Sequence, residues 1–420
     1  MAGVSASYFQ LIAKGEQDKN LTINPQISFF KAVYKRHTNF SSAVIEVPLQ
    51  GDSRFGGMSR TTLPRYGDLV SDIYLSVALP AISVTGSVPL VNWTARLGHA
   101  LIEYVDVLIG QQLIERHDGD FLEIISQMFQ TQEKQQSYAN MIGNKGSLIN
   151  EAQSIGPQYL YIPLQFWFCR NNGLTLPIGA LQIHDIEIRI KMRNVEQLYQ
   201  TYAADNVVVV DKLENVSLFV NYIFLDEVER RVFVETNHKY LIEQVQISEP
   251  QAIGGPYGGN TINMFFSHPV KELFWFGRRP QSEQSVFIMN SDQYPDYNDW
   301  FNFTSSSTPG EGYNFFETFL LQLNGKDVTG APMEAQYYNI YLPWKFHTSG
   351  PDVGLFCYSF ALDPQSYQPS GTINFSVLDS ASLRVELNDT VSPPVNVKVY
   401  AWGYNVLSIS GGQASLDYQC

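Results

Sequence analysis

From Ala43 to Leu407 the chain keeps returning to one pattern: a short run rich in Val, Ile, Phe and Tyr, stopped by Gly, Pro or Asn. Within many of these runs apolar and polar residues alternate. Alternation at period two puts the apolar side chains on one face of an extended strand. A long succession of such runs, closed by turn residues, restricts the chain to all-β sandwiches or barrels. Composition agrees, since hydrophobic residues make up 44% and aromatics 13%, while charged residues are only 16%. Exposed helix faces need more charge than that, and strands favour aromatic and β-branched side chains.

The runs fall into two series. The first contains Ala43–Leu49, Asp68–Leu79 stopped by Pro80, Leu101–Ile109 stopped by Gly110, Tyr159–Cys169, Gln182–Met192, Asn206–Val210 and Asn215–Phe224. One helical interlude interrupts it at Gly119–Met141, where Phe121, Ile124, Ile125 and Met128 make a one-sided stripe. The second series is predicted at Leu241–Ser248, Asn260–Phe266, Glu272–Phe276, Ser285–Met289, Thr318–Leu323, Gly354–Phe360, Gly371–Phe375, Ala381–Leu387 and Val395–Leu407. Asn324-Gly325 marks a tight reversal. Between the series lies Asp226–Thr236, a concentration of charge in a charge-poor chain, which reads as an exposed helical linker. The expected division is therefore an arm at 1–24, a first β-unit at 25–225, a linker helix at 226–236 and a second β-unit at 237–420. In the arm, Ser5–Ile12 reads as a brief helix or an extended tail. Just beyond it, Ile27, Phe30, Val33 and Tyr34 have helical spacing, which predicts one or two helical turns. No sharp sequence repeat links the two series.

The net charge of −14 argues against a nucleic-acid coat, which carries Lys/Arg patches that displace counterions from phosphate. The acidity is uneven: residues 237–420 hold 17 acidic and 8 basic residues, whereas residues 1–40 hold 5 basic and 2 acidic. Cys169, Cys357 and Cys420 are odd in number, far apart and without a CxxC pair, so neither a disulfide framework nor a zinc site is expected. No apolar region suited to a signal peptide follows Met1, and no apolar run is long enough to span a membrane.

Motifs that carry chemistry are scarce. The seven histidines (His37, His99, His117, His184, His238, His268 and His347) form no HxH, HxxxH or HExxH pair and are expected to be satisfied in the core or exposed. Arg116-His117-Asp118-Gly119-Asp120 sets two carboxylates beside an imidazole, which could serve acid–base work. The plainer expectation is a strand-to-helix turn with Asp118 or Asp120 as the helix N-cap. Gly254-Gly255-Pro256-Tyr257-Gly258-Gly259 opens no helix and carries no GK[ST], so it reads as a surface loop rather than a phosphate cradle. Seven N-glycosylation sequons begin at Asn20, Asn39, Asn92, Asn215, Asn302, Asn374 and Asn388. Asn302 and Asn388 are the candidates retained, with Asn302 expected to be exposed in a long loop. No catalytic residue, cofactor site or metal site is expected.

Longer blocks carry a resemblance. Gln10–Asp18 followed by Leu21–Phe40, with INPQISFFKAVYKRHTNF inside it, resembles the N-terminal signature of the major capsid proteins of nucleocytoplasmic large DNA viruses. Ile114–Leu122, Tyr161–Asn171, Leu181–His184, Tyr222–Arg231, Tyr240–Gln246, His268–Leu273, Tyr358–Leu362 and Gln368–Ser376 are similar to further blocks of that family. Residues 249–263 and 290–316 match none of its blocks, and Asp118 stands where the family pattern has an aromatic. The resemblance implies two tandem eight-stranded jelly-roll barrels with short helical insertions. It also implies a homotrimer of six-sided outline that meets neighbouring capsomers in an icosahedral virion shell and is assembled in the host cytoplasm. The N-terminal arm would face minor capsid proteins and an internal membrane, with no direct contact to nucleic acid. Two other readings stay open at this level. One is a minor or scaffolding paralogue in the same virion. The other is a carbohydrate-binding or glycan-cleaving jelly roll, which would show a carboxylate pair and an aromatic platform on one concave face.

Overall fold

The computed structural model describes residues 8–9, 11–85, 90–201, 207–254, 260–283, 298–305, 312–388 and 394–418. The chain forms two compact units, Met1–Asn39 and Phe40–Cys420. The expected strand at Ser285–Met289 and most of loop 290–316 lie outside the described residues.

In the first unit a 3-10 turn at Glu16–Asp18 leads into a single helical turn at Lys19–Thr22. The helical turns expected from Ile27 to Tyr34 do not form; residues 24–39 are neither helix nor strand. Asn24 adopts φ 52°, and Pro25 follows it, so the backbone turns away from a helix at its predicted start. Phe29, Phe30, Val33 and Tyr34 stay exposed, and a short helix without a buried face lacks the packing that offsets nucleation. Met1–Asn39 thus group together, a longer stretch than the expected arm at 1–24.

The second unit holds two barrels. The first barrel is built from β1 (Phe40–Pro48), β2 (Met58–Thr62), β3 (Leu69–Leu79), β4 (Ile102–Ile109), β5 (Gln112–Asp118), β6 (Gln158–Pro163), β7 (Ile186–Met192) and β8 (Glu214–Leu225). Its two antiparallel sheets have the orders β1-β8-β3-β6 and β2-β7-β4-β5. First strand beside last, and second beside second-to-last, is the wrapping of a jelly roll. Helices α1 (Gly119–Phe129) and α2 (Gln132–Met141) fill the connection between β5 and β6. The predicted single interlude breaks at Gln130, whose backbone is extended. Of the two, α1 is buried along nearly its whole length, whereas α2 buries only Tyr138.

Helix α3 (Glu227–Glu235) bridges the barrels and buries none of its residues. The Asp226 carboxylate caps it by accepting from the Glu229 N–H at 2.9 Å.

The second barrel consists of β9 (His238–Ile247), β10 (Asn260–Asn263), β11 (Pro269–Arg278), β12 (Phe316–Leu323), β13 (Lys326–Asp327), β14 (Leu355–Ser359), β15 (Ala381–Leu387) and β16 (Val395–Ser410). Its sheets run β9-β16-β11-β14 and β10-β15-β12-β13. Adding eight to each strand number of the first barrel gives this order. The helical insertion recurs too: a π turn at Tyr337–Tyr341 continues into α4 (Leu342–Phe346) between β13 and β14. So does the hairpin before it. Gly110-Gln111 (φ 58° and 67°) joins β4 to β5, and Asn324-Gly325 (φ 49° and 70°) joins β12 to β13. Two consecutive positive φ values match the right-handed twist of the flanking strands.

The buried apolar residues of both barrels form one continuous cluster, to which each barrel contributes its inward faces. Strand β7 alternates strictly, with Ile186, Ile188, Ile190 and Met192 inward. The second barrel's share is aromatic, with Phe319 4.7 Å from Phe356, 5.0 Å from Phe316 and 5.4 Å from Trp275 between ring centroids. Burying each such ring contributes about 1.5–3 kcal/mol. Several predicted strands shorten, among them Gln182–Met192, which begins only at Ile186. Tyr159–Cys169 ends at Pro163, which offers no N–H to the ladder, and Trp167–Arg170 makes a helical turn instead. Asn260–Phe266 ends at Asn263, and Gly371–Phe375 reduces to Ile373–Asn374.

Candidate functional site

Strand β11 is buried on both faces. Trp275 points into the second barrel, against Phe319 and Tyr338. The intervening residues Phe274, Phe276 and Arg278 point the other way, towards the first barrel. There α1 lies across β11 and β16: Phe129 meets the Trp402 ring edge-on at 4.9 Å, and Phe121 stacks on Tyr400 at 6.0 Å. This seam between the barrels is where the chain concentrates its buried charge.

The dense segment Arg116–Asp120 sits at its centre. The Asp118 carboxylate caps α1, accepting from the Phe121 N–H at 2.8 Å, as the turn reading requires. The same carboxylate accepts from Lys398 Nζ at 2.6 Å and from the Tyr400 hydroxyl at 2.8 Å. Asp120 pairs with Arg278 and, at 3.1 Å, with Lys398; Arg278 also reaches Glu283 at 2.6 Å. Burial opposes ionisation of Asp120. The Arg278, Lys398 and Arg193 charges outweigh it and hold the carboxyl well below its ordinary value. Burial likewise works against the Lys398 ammonium, but Asp118 and Asp120 raise it above its ordinary value. The two carboxylates are thus committed to neutralising cations, and neither is free for proton transfer.

Further along, Glu243 accepts from Lys271 and forms an ion pair with Arg170 at 2.8 Å, and Lys271 lies 3.5 Å over the Trp402 ring. At the other end Asn298 donates to Glu196 O and Tyr199 O at 2.6 and 2.8 Å, and Trp300 Nε1 donates to Gln197 O at 2.8 Å. A cleft of about 530 Å³ opens between α1, α2 and residues 348–352. Its polar groups already engage one another: Arg96 holds Glu123 and Asp352, Gln127 holds Glu123 and the Asp352 N–H, and Gln135 donates to Ser349 Oγ.

Three histidines are buried, and each faces a buried glutamate. His99 Nδ1 is 2.8 Å from Glu123, His117 Nε2 is 2.8 Å from Glu115, and His347 Nε2 is 2.6 Å from Glu272. These are the core-satisfied histidines expected from the sequence. The last pair has a third neighbour that no sequence spacing announces: donor atoms of Glu272, His347 and Cys357 all lie within 4.8 Å of one another. The glycan candidates fare differently from expectation. Asn302 is buried, not exposed. Its Nδ2 donates to Asp299 at 2.6 Å and its Oδ1 accepts from Thr304 Oγ1 at 2.7 Å, so the surrounding turn uses its carboxamide. Asn388 is half-buried just past β15. Gly254 lies in a loop between two strands, and the rest of its glycine run lies outside the described residues.

Two jelly rolls of one strand order, joined along a buried and charge-compensated seam, define a double jelly-roll subunit. The comparisons with known proteins say which. A family model described as major capsid protein N-terminus matches residues 28–226, and one described as large eukaryotic DNA virus major capsid protein matches residues 229–415. The major capsid protein of Phaeocystis pouchetii virus is 33% identical over 99% of this chain and 100% of its own length. That of Pyramimonas orientalis virus is 34% identical over 97% of this chain and 98% of its own. Among solved structures, the PBCV-1 virus capsid subunit superposes with a TM-score of 0.78 at 27% identity, covering 94% of this chain and 100% of that one. The Faustovirus major capsid protein shares the fold, with a TM-score of 0.78 at 13% identity over 96% of each chain. The chain belongs to the major capsid proteins of large eukaryotic DNA viruses. It is a capsid-forming structural protein of the virion shell, where it meets neighbouring subunits.

Proposed function

We propose that three copies of this chain associate into a homotrimeric capsomer of six-sided outline, and that these capsomers tile an icosahedral shell. The observation that carries this reading is the repeated strand order, 1-8-3-6 with 2-7-4-5 in each half. Three chains with two equivalent barrels each present six equivalent lobes, and closed rings form when identical interfaces repeat by symmetry. Apolar side chains left in the open supply contact area: Phe265 is 90% exposed, Leu362 85% and Trp344 75%. Large exposed apolar groups on a folded surface mark association faces. The acidic charge keeps free capsomers dispersed and away from nucleic acid. The arm, with its basic excess and exposed Phe29, Phe30 and Tyr34, supplies the contact to minor capsid proteins and to an internal membrane. Assembly takes place in the host cytoplasm.

Sedimentation velocity combined with negative-stain imaging of the purified chain tests this. The expected result is a species of three chains with a six-sided outline. Monomers persisting across a wide concentration range would overturn it.

A further inference from the structure

We propose that Glu272, His347 and Cys357 form a zinc site in the seam between the barrels. The three donors converge from three elements. Glu272 lies on β11 opposite Ser359, and Cys357 lies on β14 opposite Phe274, so the two positions are diagonal neighbours on one face of a ladder. His347 comes from the residue that ends α4 and points Nε2 at Glu272. All three side chains are buried, and their donor atoms lie within 4.8 Å of one another.

The chemistry of the set selects the metal. One thiolate, one imidazole and one carboxylate are ligands that zinc accepts in tetrahedral sites, and the soft sulfur disfavours magnesium and calcium. With neutral imidazole, the two anionic ligands balance a divalent ion, and a water molecule completes the four positions, so the buried complex carries no net charge. Zinc–donor bonds of about 2.0–2.3 Å set ligand atoms roughly 3.3–3.8 Å apart in a tetrahedron. The His347–Glu272 contact at 2.6 Å therefore widens slightly as the ion takes the place of the proton between them. On binding, the Cys357 S–H bond gives way to an S–Zn bond and its proton leaves to solvent, as does any proton on His347 Nε2.

Two surrounding features fit a ligand role. The second oxygen of Glu272, Oε2, is buried with the Cys357 thiol as its polar neighbour and makes no other hydrogen bond, so the carboxylate keeps capacity for a cation. The imidazole is also held from behind. The Gln365 carboxamide lies 3.4 Å from His347 Nδ1 and bonds to Met128 O at 3.2 Å, while Phe129 meets the ring edge-on at 5.1 Å. The Gln365 atom at Nδ1 is the amide nitrogen, so this contact steadies the ring's position; zinc at Nε2 moves the ring proton to Nδ1, and the carboxamide must then turn its oxygen to that nitrogen. Since Met128 and Phe129 end α1, a metal here would lock the second barrel's seam face beneath the first barrel's helix.

The full chain, stripped with a chelator and titrated with Co²⁺ as a spectroscopic stand-in for Zn²⁺, tests the site. The expected result is one equivalent bound per chain, with a thiolate-to-cobalt charge-transfer band and the strong visible absorption of four-coordinate cobalt. That spectrum is lost in Cys357→Ser and in His347→Gln, kept in Cys169→Ser, and shifted to roughly tenfold weaker binding in Gln365→Ala. Zinc content of the unmutated chain after chelation and reloading, measured by atomic spectrometry, gives a readout that does not depend on variants folding. No stoichiometric uptake, or a charge-transfer band surviving in Cys357→Ser, would overturn the proposal.

Discussion

At the scale of single residues, Asp120 has the most to lose. It is buried against Arg278 and Lys398, and removing one partner of a buried pair strands the others without compensation. Asp120→Ala is expected to cost about 3–5 kcal/mol in chemical denaturation. The double variant Asp120→Leu with Arg278→Met is expected to recover part of that loss. The same groups set the pH response. Asp120 and Glu123 are held below their ordinary values of 3.8 and 4.5, so their contribution is whole above those values and drains away as pH falls beneath them. Lys398 is held above its ordinary 10.5, so its contribution is whole below that pH and is lost above it. Through these three groups, stability should fall below about pH 4.5 and above about pH 10.5, while Lys271, which burial holds below its ordinary value, adds a gain as pH rises towards 10.5; thermal unfolding against pH checks this. A steep fall between pH 5 and 9 would mean that other groups govern the seam. An N-cap at Asp118 or Asp120 was legible in the sequence because a cap is read within one helical turn, and Asp118 is the one that caps. Its partners Lys398 and Tyr400 were not, being 280 and 282 residues away. The Glu272–His347–Cys357 group escaped for the same reason: spacing rules see neighbours in sequence, and only the ladder between β11 and β14 makes these residues neighbours in space.

At the scale of elements, the two equivalent hairpins offer a controlled comparison. Gly325 has open space where a Cβ would sit, so Gly325→Ala pays only for its positive φ, about 1 kcal/mol. A Cβ on Gly110 would stand 2.6 Å from the His184 ring, so Gly110→Ala is expected to cost distinctly more. Denaturant midpoints of the two variants check the order. Legibility at this scale followed burial. Strand β7 and strand β15 alternate cleanly and were read from pattern alone. Strand β2, Met-Ser-Arg-Thr-Thr, has no apolar face to read; pairing with β7 makes it a strand and buries Ser59 and Thr61. Strand β13 is only two residues long and is defined by its turn. The error at Ile27–Tyr34 ran the other way, since helical spacing was present without a surface to bury it. Trp167 and Phe168 read as strand because buried aromatics look alike in either conformation, and only Pro163 hinted that the ladder had ended.

At the scale of the whole molecule, the separate clustering of Met1–Asn39 leads to one more expectation. Deleting that arm should leave the unfolding midpoint of the remaining chain nearly unchanged while impairing recovery of closed shells, scored by electron microscopy of co-expressed particles. A large drop in the midpoint would show that the arm belongs to the barrel fold. The pair of barrels was legible as two series of strands flanking a charged helix, but their equality was not. The halves share no visible sequence repeat, and only the ladder partners reveal that both wrap in one order. That equality without identity has a geometric outcome. In the proposed three-chain tile the edges would alternate between two kinds, so turning it by one sixth of a revolution would exchange every edge for its counterpart. Each such tile would then carry a direction, and a shell laid from copies of a single polypeptide would mark where one field of aligned tiles stops and a rotated field starts.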